Sequence, residues 1–125
     1  MSRLPGRRLA AAVLLALPSL QCGGPPASID RLTIVNPTGY QLGVEVTGAG
    51  RVGWLPVAVV PAHGEVVVED VADQGAVWVF RFRHWGDPVG GRSVSRAELE
   101  RQGWRVEVPG EVEARLRALG RPPAA

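Results

Sequence analysis

The sequence has no lysine and, in 125 residues, only one cysteine, one methionine, one tyrosine and one asparagine. A single cysteine, Cys22, excludes an internal disulfide framework and any cysteine-based metal cage. Histidine is nearly as scarce. His63 and His84 stand too far apart to form a ligand pair, so the sequence offers no metal site and no cofactor motif. The acidic group Glu65, Glu69, Asp70 and Asp73 lacks the spaced Asp/Asn loop of an EF-hand and reads as a solvated turn. Long apolar runs are missing too. Leu9–Leu17 is purely apolar, but a bilayer span takes about 20 such residues.

Arginine carries every basic position apart from the two histidines, a usage that fits the codon bias of a GC-rich genome. The net charge of +2 is misleading, because Arg3, Arg7 and Arg8 precede all twelve acidic residues. After that segment eleven arginines face twelve acids, a net of −1. A nucleic-acid binder carries a basic face on a basic domain, so DNA and RNA are excluded as partners.

What is present begins with a leader. Three arginines in the first eight residues, the apolar run to Leu17 and the stop at Pro18 make a charged n-region and an h-region within the usual ~7–15 residues of an export signal. Cys22 follows in Ser19-Leu20-Gln21-Cys22, and its place resembles the acylated cysteine of bacterial lipoproteins, with Gln21 departing from the small residue usual before the cut. That resemblance implies a membrane partner through a lipid at Cys22, with plain secretion as the alternative. The expected organisation is an export signal over residues 1–22, a Gly/Pro-rich tether over 23–30, one β-domain over 31–119 and a frayed tail over 120–125.

The densest aromatic run, Val77–Arg83, places Trp78, Phe80 and Phe82 on one face of a strand and should anchor the core. Tyr40, Leu42, Val44 and Val46 alternate in the same way, with Thr47 toward water. Arg31–Asn36, Glu65–Val71 and Trp104–Val108 read as further strands, and Pro56 makes Trp54–Val60 an edge strand or two short pieces. Short strands between Gly/Pro turns predict a mainly β fold, a small antiparallel β-sandwich. Ser95 and Glu98 form a capping box for a two-turn helix ended by Gly103. Val112, Leu116 and Leu119 make the apolar stripe of a second helix near the C-terminus.

The motifs Val-Asn-Pro-Thr (35–38), Val-Glu-Val (44–46), Glu-Asp-Val-Ala-Asp-Gln-Gly (69–75), Val-Trp-Val-Phe-Arg-Phe (77–82) and Ser-Arg-Ala-Glu-Leu-Glu-Arg-Gln-Gly-Trp (95–104) resemble small exported β-sandwich proteins of lipoprotein type from GC-rich bacteria. The resemblance covers about residues 31–119 and brings no activity and no site residue with it. The strand spacing is also similar to immunoglobulin-like modules, although the Cys…Trp…Cys core of antibody domains is absent.

Chemistry-bearing constellations are few. His84 is in phase with the three rings, and Ser93 or Ser95 nearby completes no nucleophile–base–orienter set. Arg81, Arg83 and Trp85 share the phase opposite the rings. They form either a binding patch for an envelope protein or anionic polymer, or the charged half of cross-strand pairs with Glu45, Glu65 or Glu107. The expectation is an exported, membrane-anchored binding or structural module of the cell envelope, without catalysis. The alternative is a small enzyme or accessory subunit using His84 and a loop over 84–91.

Overall fold

Alternating side chains decide which strands face one another. In the computed structural model, which describes residues 27–125, Trp78, Phe80 and Phe82 are fully buried while Arg81 and Arg83 are half-buried on the reverse face. The expected export signal, Cys22 and residues 23–26 of the expected tether lie outside the described residues.

The strands run β1 (Ser28–Asn36), β2 (Leu42–Thr47), β3 (Leu55–Val60), β4 (Gly64–Ala72), β5 (Val77–His84) and β6 (Asp87–Ser95). Helix α1 (Arg96–Arg101), strand β7 (Arg105–Glu107) and helix α2 (Gly110–Ala118) complete the chain. A three-stranded sheet is ordered β4-β1-β7 and a four-stranded sheet β3-β2-β5-β6. All pairs are antiparallel except β1 with β7, which are parallel. The sheets meet across one core that joins Leu32 and Ile34 of β1 to Leu42, Val44 and Val46 of β2 and the β5 rings. The fold is therefore mainly β and sandwich-like, with two short helices near the C-terminus.

Local signals explain the helices. The Ser95 hydroxyl accepts from the Glu98 amide at 3.0 Å, as the capping box requires. Gly103 takes φ +68 and lets the Trp104 amide donate to the Leu99 carbonyl at 2.7 Å. In α2, Val112 and Leu116 are fully buried, but Leu119 is 55% exposed and stands outside the expected stripe. Helix α2 seats on β6 at Gly90, where a β-carbon would meet Val112 Cγ2 at 2.8 Å.

Four expectations are corrected. Strand β1 begins at Ser28, so residues 28–30 belong to the sheet and not to the tether; Ser28 pairs with Ala72 and Ile29 with Val71. Thr47 is fully buried, and its hydroxyl donates to the Gly53 carbonyl at 2.7 Å. Of residues 84–91, expected as a loop or a hairpin tip, only Trp85-Gly86 form a turn, while His84 ends β5 and residues 87–91 belong to β6. The tail does not fray. Gly120 at φ +76 turns the chain back, the Tyr40 hydroxyl donates to the Arg121 carbonyl at 2.7 Å, and the Ala124 amide donates to the Gly39 carbonyl at 2.7 Å.

Candidate functional site

The outer face of the four-stranded sheet carries a short charged ladder. Arg81 lies opposite Glu45 in register, and its guanidinium reaches Glu45 Oε1 at 2.7 Å. Arg83 reaches the same oxygen at 3.3 Å. One carboxylate thus serves two guanidinium groups, and on the other sheet Arg105 of β7 reaches over β1 to Glu65 of β4 at 3.1 Å. Arg81 also stacks on Trp54, 3.9 Å from the ring centre.

Trp85 does not join Arg81 and Arg83 on that face. It occupies the first central position of the β5–β6 turn with φ +51, followed by Gly86 at φ +85, the signs of a type I′ hairpin. A bulky residue in the left-handed region is strained. The tip nevertheless holds, because Arg83 donates to the Gly86 carbonyl and the Trp85 ring meets His84 edge-on at 5.7 Å. Trp85 is 87% exposed at the end of the sheet.

A groove of about 560 Å³ runs from the outer face over edge strand β6 to α2. Val79, Phe80, Gly90 and Gly91 contribute its floor, and Arg51, Trp54, Arg81, Arg92, Ser93 and Arg115 its sides, with no Asp or Glu lining it. Arg81 shares its charge with Glu45. Arg51, Arg92 and Arg115 form no ion pair among the described residues. Arg92 donates only to the Glu107 carbonyl, at 3.1 Å. The groove is therefore a local concentration of uncompensated positive charge on a domain whose overall balance is slightly acidic.

The loop that brings Arg51 and Trp54 to this groove is held from beneath. The Arg51 amide closes a tight turn on the Gly48 carbonyl at 3.0 Å, and Arg51 itself sits at φ +54. Buried Thr47 pins the loop through the carbonyls of Gly53 and, at 3.4 Å, Val52. None of these contacts has a periodic signature, so sequence reasoning found Arg81 but missed Arg51, Trp54, Arg92 and Arg115. Scarcity of acids around Arg51 was the one available hint.

His84 is occupied structurally. It is 6% exposed, lies edge-on to Tyr40 at 5.5 Å, and its Nδ1 accepts from the Arg121 guanidinium at 2.9 Å. Arg121 also binds the His84 carbonyl at 3.1 Å and the Asp87 carboxylate at 2.6 Å. Among the described residues no serine or acid hydrogen-bonds the ring, so none of them forms a nucleophile–base pair with it. A second, more apolar groove of about 510 Å³ lies beside it, between Val59, Trp85 and the Pro122-Pro123 tail. Among the described residues no three His, Cys, Asp or Glu side chains gather as a metal site, and no helix is long and apolar enough to cross a membrane.

Burial first, and then the Arg121 charge, holds the His84 pKa below its ordinary 6.5, against an opposing pull from Asp87. The folded protein resists a proton that the unfolded chain accepts, so stability is lost as pH falls below 6.5. Asp73 and Glu113 are also held below their ordinary values, but in a lower pH range. The Gly75 amide chiefly depresses Asp73 and Arg117 chiefly depresses Glu113, so their contributions are lost only below the ordinary 3.8 and 4.5. Melting should therefore fall between about pH 6.5 and about pH 5 in the wild type and fall less in His84→Gln. Parallel melting curves for the two proteins would show that His84 does not resist protonation in the folded state.

No protein-family profile, curated protein or solved structure matches the chain.

Proposed function

We propose that this is an exported binding module of the cell envelope, held at the outer face of the membrane by a lipid on Cys22 and without catalysis of its own. The outer face of the four-stranded sheet is its binding surface, and an anionic envelope polymer is its partner. The observation that carries this reading is the groove where Arg51, Arg92 and Arg115 lack acidic partners. Arg81 contributes beside Trp54, whereas Arg83 lies outside the groove and Trp85, in the hairpin turn, belongs to neither face. Arginines free of ion pairs beside a tryptophan have the composition of binding hot spots.

An immunoglobulin-like classification is supported by strand order. If β1 to β6 are taken as strands B, C, C′, E, F and G, the sheets become E-B and C′-C-F-G, the arrangement of that architecture. The position of strand A is then filled by β7, which runs parallel to β1. The enzyme alternative loses its support at His84, whose Nδ1 is taken by Arg121.

The test is sedimentation of the full-length protein with cell envelopes washed free of lipid by detergent. Wild-type protein should co-sediment in a salt-sensitive way, and Arg51→Glu with Arg115→Glu should abolish this while melting unchanged. Equal sedimentation of both proteins would end the reading. Mass spectrometry of the mature N-terminus should find an acylated Cys22; an N-terminus beyond Cys22 would replace the anchor with plain secretion.

A further inference from the structure

We infer that the arginine groove takes a stretch of acidic polysaccharide, its acid groups held by Arg51, Arg92 and Arg115 and one sugar ring laid against Trp54. This rests on the binding reading above and adds the chemical class of the ligand. Three observations carry it.

The first is charge. Arg51, Arg92 and Arg115, none of them in an ion pair among the described residues, line one groove that no carboxylate lines, and Arg92 also donates to the Glu107 carbonyl at 3.1 Å. Guanidinium forks match carboxylate and phosphate oxygens, and three of them suit a ligand with repeated acid groups better than a single ion. The second is shape. A groove of about 560 Å³ is large enough for sugar-sized units, and its floor is kept low by Gly91, where a β-carbon would meet the Phe80 carbonyl at 2.9 Å. The third is Trp54. Arg81 covers one face of its ring at 3.9 Å from the centre and so steadies the indole, which remains half-exposed and lines the groove. A rigid indole beside acid-binding arginines offers an apolar surface to the C–H face of a pyranose, and a flexible polyanion without rings gains nothing from it.

The pinned loop fits this reading. Arg51 is held in the left-handed region, and buried Thr47 fixes the loop that carries both Arg51 and Trp54. Residues kept in such a conformation are tied down in advance, and a ligand then pays less to order them.

The experiment is affinity electrophoresis of the full-length protein in detergent. The gels contain polygalacturonate, a phosphate-bearing mannan, neutral dextran or poly-L-glutamate. Either acidic glycan should retard the protein, and the stronger one identifies the acid as carboxylate or phosphate. Dextran and poly-L-glutamate should leave it unretarded. Arg51→Gln with Arg115→Gln should weaken glycan binding by about tenfold or more, with melting unchanged. Trp54→Leu should weaken glycan binding while leaving its salt dependence in place.

Equal retardation by poly-L-glutamate, or wild-type affinity in Trp54→Leu, would overturn the polysaccharide assignment. Absence of glycan binding in a protein that still sediments with envelopes through Arg51 and Arg115 would overturn this inference alone. Loss of both would remove the binding reading as well.

Discussion

Asn36→Asp is expected to lower stability by more than about 3 kcal/mol, enough to leave little folded protein at 37 °C. The substitution barely changes shape, so its effect isolates hydrogen bonding. Asn36 is fully buried, and its Nδ2 donates to the carbonyls of Tyr40 at 2.7 Å, Val60 at 3.3 Å and Pro61 at 3.1 Å. Its Oδ1 accepts from the Thr38 amide at 3.0 Å and the Thr38 hydroxyl at 2.7 Å. An ionised Asp keeps the two accepted bonds but faces the three carbonyl oxygens with another oxygen. The carbonyls lose their donor, and a buried charge is set against their negative ends. Urea unfolding followed by circular dichroism measures the difference. A midpoint equal to wild type would show that this corner contributes little.

Phe80→Ala is expected to cost about 3–5 kcal/mol, a large share of the ~5–15 kcal/mol that holds a typical domain together. Phe80 has no exposed surface, stacks near Trp78 with ring centres 6.3 Å apart, and lies on the central strand β5 between β2 and β6. Neighbours on both flanking strands fix its surroundings, so the cavity has little room to collapse. Phe80→Asp adds an unpaired buried charge and should abolish soluble, protease-resistant protein. Thermal melting of the alanine variant and limited proteolysis of the aspartate variant test this. Wild-type resistance in both would remove Phe80 from the core.

The two residues differ in how plainly the sequence announces them. Phe80 is visible from period alone, because Trp78, Phe80 and Phe82 alternate with Val79, Arg81 and Arg83 and only one face can be dry. Asn36 is visible only as turn chemistry ahead of Pro37. That it also ties this turn to the end of β3, 24 and 25 residues away, is set by how the chain folds over itself. Thr47 teaches the same lesson. Alternation sends it to water, yet the loop after β2 folds back over it and supplies carbonyl acceptors for the hydroxyl.

The candidate site was legible to the same limited degree. Period places Arg81 and Arg83 outward, and Glu45 is a foreseeable cross-strand partner. Trp85 follows the same count but escapes it, because the chain reverses at Trp85-Gly86 and a turn residue belongs to neither face. Arg51, Arg92 and Arg115 come from a loop, an edge strand and a helix, so no spacing in the sequence joins them.

By itself the sequence determined the class of fold, the aromatic strand at its centre, the edge character of β3 and the cap of α1. Each follows from the backbone's own period or from a side chain bonding within a few residues of itself. Only the tertiary structure decided the parallel docking of β7, the anchoring of the tail through Arg121 and the gathering of arginines beside Trp54. Those features join residues far apart along the chain, and their distances are set by how sheets and helices pack, which no local pattern encodes.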